Sequence, residues 1–350
     1  MSNVSQQHLI FGAGLIGCYI GGALNILGKR VSLVCRPKIK LGLSSGIRLT
    51  DYQGNDKSTV SITCIDNLLN REVEQSQSKI DILWLTVKCT GIDQAVLDMK
   101  PWVHANTLIL CCQNGLGSDA IVKNAYPNNK VLRVMVPFNV VESQPGQFHR
   151  GSEGSITIEQ TKDTAHKVTQ LVNELQSFIL PITSTQDMNA LLWAKLQLSL
   201  GNSVNALADI PVKAMLQQRS YRKVIGLLMT ELLNVTDGLG LNLPKITAIS
   251  AHKIPFILGL PNFIFNRVAN KMLEIDPKVR SSMWWDVSQG KITEIEHING
   301  AVLRHAKKLG ISCPVNEKMC ALITNLQNRS RVAEQQIPPI SASMLLKHIS

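Results

Sequence analysis

The stretch LIFGAGLIGCYIGGAL, residues 9–24, limits the folds open to this chain more than any other. Gly12, Gly14 and Gly17 stand in a G-x-G-x-x-G spacing between a short apolar run and a segment with helical periodicity. Glycines recur by chance, so the spacing alone is weak. Its setting adds weight: a strand precedes it, a helix follows it, and together they open an α/β pattern. There Gly12 permits a tight turn, Gly14 lets the main chain approach a pyrophosphate, and Gly17 lets helix and strand pack closely. The helix start then offers N–H groups and the positive end of its dipole to phosphates. The expectation is a dinucleotide site at the first strand–helix turn; the alternative is a plain connection.

The alternation continues. RVSLVC (30–35), IDILWLTVK (80–88), TLILCCQNG (107–115) and KVLRVMVPF (130–138) are apolar, β-branched runs that end in polar or turn residues. Helical segments such as GIDQAVLDM and GSDAIVKNAY lie between them, which argues a mainly parallel sheet. GSITIEQ adds an edge strand and DTAHKVTQLVNEL a helix. Near Ser184 the pattern changes to helices alone. NALLWAKLQLSLGNSVNALA reads as one long helix, YRKVIGLLMTELLNVTDGLG as an amphipathic one ending at glycines, and ITEIEHINGAVLRHAKKLG as another of that kind. SCPVNEKMCALITNLQNR is a last helix with Pro314 near its start. The fold class expected is α/β: a Rossmann-like dinucleotide-binding domain over residues 1–184, then an all-helical substrate-binding and catalytic domain over 185–350.

Composition removes several function classes. The 350 residues are 45% hydrophobic and 17% charged, which suits packed domains rather than long disordered tracts. The start, MSNVSQQ, lacks the basic and apolar regions of a signal peptide, and IPFILGLPNFIF is too short to span a bilayer. The eight cysteines are scattered without a C-x-x-C pair, so neither a disulfide framework nor a zinc site is expected. His297 and His305 do not have the spacing of a zinc-binding H-E-x-x-H motif. A cytoplasmic protein with reduced thiols and no membrane partner follows. The net charge of +11 is dispersed and carries no nucleic-acid-binding signature, so small anions are the expected ligands.

The end of the second strand points to one dinucleotide. An NAD site usually places an acid there for the ribose 2′-OH. Here the chain reads VSLVCRPKIK, with Arg36 at that position and no acid near. A guanidinium meets a 2′-phosphate with two parallel hydrogen bonds, so NADPH is expected over NADH. The alternative for Arg36 is a solvent-facing loop charge. Lys88, closing WLTVK, and Gln113-Asn114-Gly115, closing LCCQNG, stand at two further strand ends, where ligands of open α/β sheets bind.

The helical half carries a resemblance. LLWAKLQLSLGNSVNAL and RSSMWWDVSQGKITEIEHINGAVLRHAKKLGISCPVNEKM, with the glycine loop, TVK and QNG before them in order, resemble the ketopantoate reductase family. Each piece is weak; their order and spacing over nearly the whole chain are specific. The family is 2-dehydropantoate 2-reductase, an NADPH-dependent enzyme of pantothenate and coenzyme A biosynthesis. The resemblance implies a catalytic lysine at Lys195 and a glutamate at Glu294 that contacts cofactor and active site. It implies substrate binding by Asn205, with Asn202 one helical turn before it, and by Ser282 on the substrate carboxylate. Lys88, Asn114 and Arg36 fall on cofactor-contacting positions.

These roles make chemical sense. Reducing a ketone needs hydride at carbon and a proton at oxygen, and an ammonium can polarise the carbonyl and then give the proton. Lys195 lies in a strongly apolar helix, where a charge needs a partner, and Glu294 is eligible. On one continuous helix, Asn202 and Asn205 share a face with Lys195, expected to line an interdomain cleft. Trp284 and Trp285 are expected to be packing residues, one of which could wall the substrate pocket. Two positions depart from the family pattern: Ser199 stands where many relatives carry Asn, and Gly91 where they often carry Gln. A small anionic 2-oxo acid is the expected substrate, ketopantoate first. The alternatives are another branched 2-oxo acid or an imine, or a non-catalytic NADPH-binding sensor. The assembly is left open between monomer and homodimer.

Overall fold

A computed structural model describes residues 6–66, 79–269, 277–332 and 338–349. The chain divides into two compact units, Met1–Met188 and Asn189–Ser350.

The first unit is built on an eight-stranded sheet. Its strands are β1 (Gln7–Phe11), β2 (Arg30–Cys35), β5 (Thr63–Asp66), β6 (Ile82–Leu85), β7 (Leu108–Cys111), β8 (Lys130–Met135), β11 (Ile156–Glu159) and β12 (Ile182–Thr185). Their order is β12-β11-β8-β7-β6-β1-β2-β5. All neighbours are parallel except β11 with β8. β11, expected at the edge, is covered by β12.

Side chains alternate across this sheet, as the two-residue period of a strand requires. Leu9, Phe11, Leu83, Leu85 and Ile109 enter one core with Ile92, Ala95 and Val122 from the helices Ile92–Asp98 and Ser118–Ala125. Ile10, Leu33, Trp84, Leu110 and Leu132 enter the opposite core, with Tyr19 and Ile20 of the helix Leu15–Ile26 and Leu171 of the helix Ala165–Leu175. Strands covered on both faces read as nearly continuous apolar runs, and that is why they are conspicuous in the sequence.

A second sheet, of order β4-β3-β10-β9, was not expected. It joins β3 (Ile47–Asp51), β4 (Asp56–Thr59), β9 (Val140–Gln144) and β10 (Gln147–Arg150). These strands are short and one-sided: Ile47 and Leu49 are buried while Arg48 between them is exposed. Arg150 pairs in register with Asp51 and donates to its carboxylate at 2.8 Å, both side chains being buried.

The second unit is helical among the described residues. The longest helix among its described residues, Arg219–Gly238, buries Val224, Ile225, Leu228, Leu232 and Val235 at the spacing of one face. Gly240, at φ +68°, ends it: its N–H donates to Asp237 O, and the Leu241 N–H donates to Thr236 O at 3.0 Å. A left-handed residue in this closing motif favours glycine.

Two expected helices are altered. Residues 189–208 are not continuous: helices Met188–Ser199 and Gly201–Ala208 meet at Leu200. The Ser199 hydroxyl donates back to Lys195 O at 3.1 Å, a bond that loosens a helix, and Gly201 follows with its low helix propensity. The segment from Ile292 is helical only over Asn299–Leu309, preceded by the tight turn Ile295–His297.

Candidate active site

In the first unit, the glycine loop joins β1 to the helix Leu15–Ile26. Gly12 has φ +105°, and a Cβ there would stand 2.6 Å from Val87 Cγ1 and 2.7 Å from Val87 N. A Cβ on Gly17 would meet Gly12 O at 2.4 Å and Thr86 Oγ1 at 2.7 Å. Both glycines are therefore required by close packing. Gly14 differs: nothing lies within 4 Å of a Cβ built there. It is exposed, and it caps the helix without a side-chain acceptor, while the first turn holds no acid. The helix start thus presents main-chain N–H groups to open space with no anion of its own nearby, which suits a phosphate.

The other expected cofactor residues emerge at the same edge. β7, β6, β1 and β2 are consecutive parallel neighbours, so their carboxyl ends lie side by side. Arg36 follows β2 and is exposed; the strand is tied to the glycine loop where Ala13 N–H donates to Val34 O at 3.2 Å. Lys88, exposed, follows β6, and Asn114, half-buried, follows β7. The chain leaves β1 toward β2 on one side and later returns to β6 on the other, so the glycine loop sits where strand order reverses. Open α/β sheets bind ligands at that crevice.

Two further residues hold this edge together, one of them Gln113, which the sequence placed at a ligand-binding strand end. Thr86 N–H donates to Phe11 O at 2.9 Å, and its hydroxyl donates to Gly12 O at 2.7 Å. Gln113, buried beneath the loop, donates through Nε2 to Leu85 O at 2.7 Å and Val87 O at 3.1 Å. Its Oε1 is buried without a hydrogen-bond partner. TVK and QNG contain both residues, but nothing local in a sequence indicates hydrogen bonds to carbonyls of another strand.

In the second unit, Lys195 is half-buried on the helix Met188–Ser199 among buried Leu192, Trp193, Ala194 and Leu196. Trp193 packs edge-on against His305, ring centroids 5.1 Å apart. Glu294 is buried, with 5% of its surface exposed, and its carbonyl accepts from His297 N and Ile298 N. The preceding residue, Thr293, donates through both its N–H and its hydroxyl to Gln327 Oε1, at 3.1 and 2.9 Å. This fixes the Glu294 turn to the helix Pro314–Val332. Lys195 and Glu294 both engage partners.

The residues expected to bind substrate have unequal environments. Ser282 is exposed at the first position of the helix Ser282–Ser288. Ser281 before it is the cap: its Oγ accepts from Trp284 N and donates to Asn202 O, each at 3.2 Å. Asn202 is half-buried. Asn205 is fully buried, and both ends of its amide are taken: Nδ2 donates to Ile210 O at 2.8 Å and Oδ1 accepts from Ser281 N at 2.9 Å. It has the geometry of a brace beneath Ser282. With the helix interrupted at Leu200, Lys195 and Asn202 stand on separate helices.

All eight cysteines are free thiols. Among the described residues no cluster of His, Cys, Asp and Glu could hold a metal, and no helix is long and apolar enough to cross a membrane.

The family model described as ketopantoate reductase PanE/ApbA matches residues 8–163, and that of ketopantoate reductase PanE/ApbA C terminal matches residues 187–327. A 2-dehydropantoate 2-reductase of Streptococcus pyogenes serotype M6 is 25% identical over 334 residues, covering 91% of this chain and 95% of its own. A PanE/ApbA family ketopantoate reductase from Ralstonia eutropha JMP134 has a similar crystal structure, with a TM-score of 0.75, 24% identity, and coverage of 93% of this chain and 100% of that one. D-mandelate dehydrogenase, solved with NADH and anilino(oxo)acetate, also gives a TM-score of 0.75 at 18% identity, over 93% of this chain and 100% of that one. The solved structures speak to the fold, and the two family matches cover most of the sequence. The chain therefore belongs to the ketopantoate reductase family of oxidoreductases.

Proposed function

We propose that this protein is an NADPH-dependent reductase of a small 2-oxo acid, with ketopantoate the first candidate and pantoate its product. The observation that carries the reading is the edge of the first unit, where an open, acid-free helix start at Gly14 adjoins the strand that leads into Arg36. Arg36 would take the 2′-phosphate, the helix start the pyrophosphate, and Lys88 and Asn114 the ribose and nicotinamide parts. Bound dihydronicotinamide supplies hydride to the carbonyl carbon. The Lys195 ammonium polarises the carbonyl and gives its proton to the oxygen, so the ketone becomes a secondary alcohol. Glu294 keeps that ammonium charged and oriented, and the Ser282 hydroxyl donates to the substrate carboxylate.

One observation favours a second reading with the same chemistry and another 2-oxo acid. The Ser199 hydroxyl, where many relatives carry an amide, is directed at Lys195 O and not outward. The mandelate enzyme, similar in fold, was solved with NADH and anilino(oxo)acetate. A panel of 2-oxo acids, read by loss of NADPH absorbance, tests both. Turnover of ketopantoate ahead of the others supports the first reading, preference for another acid supports the second, and turnover of none removes the reductase assignment.

A further inference from the structure

Trp285 keeps 53% of its surface exposed in a chain whose other four tryptophans are half-buried or buried. Yet it is held. Its ring stands edge-on to Trp284 at 4.8 Å and 80°. Trp284 is fixed in turn: its Nε1 donates to Asp209 Oδ1 at 2.6 Å, and the Arg280 guanidinium lies over its ring at 4.2 Å while also donating to Asp209 at 2.8 Å. Asp209 is the one described non-glycine residue with positive φ, at 49°, a conformation that costs energy and here aims its carboxylate at both partners. Polar contacts thus fix Trp284, and the exposed Trp285 ring packs edge-on against that fixed neighbour. Holding an indole rigid before a ligand arrives reduces the entropy lost on binding.

Position adds the second argument. Ser282 and Trp285 are three residues apart in the helix Ser282–Ser288, and both are exposed, so they share one face. A 2-oxo acid anchored by its carboxylate at Ser282 carries its C3 substituent on the far side of C2. A rigid indole one turn along the same face meets a group at that distance. Aromatic rings add dispersion and quadrupole attraction beyond what area alone provides.

We propose that Trp285 is a specificity-determining residue: it walls the side-chain end of the substrate site and selects 2-oxo acids with a bulky apolar, preferably aromatic, substituent. The assignment rests on the 2-oxo acid reading above. The test is calorimetric binding of glyoxylate and phenylglyoxylate to the NADP⁺-loaded protein, for wild type, Trp285→Ala and Trp285→Phe. Wild type should favour phenylglyoxylate. Trp285→Ala should weaken phenylglyoxylate about tenfold, the size of a lost aromatic contact, and leave glyoxylate unchanged. Trp285→Phe should restore most of the preference. An affinity ratio that is the same in wild type and Trp285→Ala overturns the proposal. Discrimination by wild type, with no 2-oxo acid of the panel reduced, would support the wall and remove the reductase reading instead.

Discussion

The side-chain oxygen of Asn205 accepts the main-chain N–H of Ser281 at 2.9 Å, while the other end of the same amide donates to Ile210 O. One buried side chain thus ties the turn after the helix Gly201–Ala208 to the residue that precedes Ser282. Asn205→Ala strands a buried donor and a buried acceptor. Each costs roughly 1–3 kcal/mol, so the thermal midpoint should drop by on the order of 5 °C or more. If Ser282 holds the substrate carboxylate, KM for the oxo acid should rise with little change in NADPH affinity. An unchanged midpoint would mean that the brace does not form.

The three glycines of the loop should respond differently to the same substitution. Gly12→Ala combines a positive φ with a Cβ 2.6 Å from Val87 Cγ1, so it should destabilise the fold itself. Gly14→Ala meets nothing within 4 Å and should leave unliganded stability almost unchanged. The added methyl group occupies the space assigned to a pyrophosphate, so the shift in midpoint produced by saturating NADPH should shrink or vanish. Equal loss of unliganded stability in both variants would contradict this division.

Arg36 should decide between cofactors. Removing a charge-assisted hydrogen bond of ~1.5–3 kcal/mol corresponds to about ten- to a hundredfold in affinity. Arg36→Ala should therefore raise KM for NADPH by that factor and barely alter KM for NADH. A wild type that prefers NADH would show Arg36 to be a loop charge, the alternative its exposure leaves open.

How much of this was legible beforehand depended on where each group is satisfied. β1, β2 and β6 to β8 send apolar side chains into cores on both faces and stand out as largely apolar runs. β3 and β10 are brief and one-sided, so their pairing depends on partners some hundred residues away, as Arg150 with Asp51 shows. Gly12 and Gly17 were readable because a left-handed turn and a close helix–strand approach have few solutions besides glycine. Gln113 was not, since its two acceptors are carbonyls of a neighbouring strand. Asn205 could be identified by resemblance but not by role, because both of its partners are main-chain atoms.

His8 gives a pH dependence with a definite sign. It is buried on β1, and its Nδ1 accepts from Trp84 Nε1 at 3.2 Å. Burial, reinforced by the nearby Lys29 charge, lowers its pKa from 6.5 to about 4. Between those values the unfolded chain binds a proton that the folded one does not, so stability rises with pH across the window and is fully present above it. Acidification from pH 6.5 to 4 should remove stability on the order of 3 kcal/mol through this group. His8→Gln retains an acceptor and does not titrate. Denaturant midpoints between pH 7 and 4.5 should fall less steeply for the variant, and parallel curves would exclude His8 as the source.

Lys195 carries the chemistry in the proposed reaction, so its removal should affect turnover rather than cofactor binding. It is half-buried, and an ammonium partly withdrawn from water polarises a carbonyl more strongly than one fully in water. Lys195→Ala should lower kcat by about 10²–10⁴-fold, the usual contribution of a positioned acid, and leave the NADPH thermal shift intact. Glu294→Gln keeps the shape of a buried side chain but withdraws the charge expected to hold the ammonium. It should reduce kcat and bring the high-pH loss of activity to lower pH, because a lysine without its counter-charge gives up its proton sooner. A structural role for Glu294 would lower stability without moving the pH profile. Near-normal kcat in Lys195→Ala on the best substrate of the panel would transfer proton donation to another group and remove the mechanism proposed here.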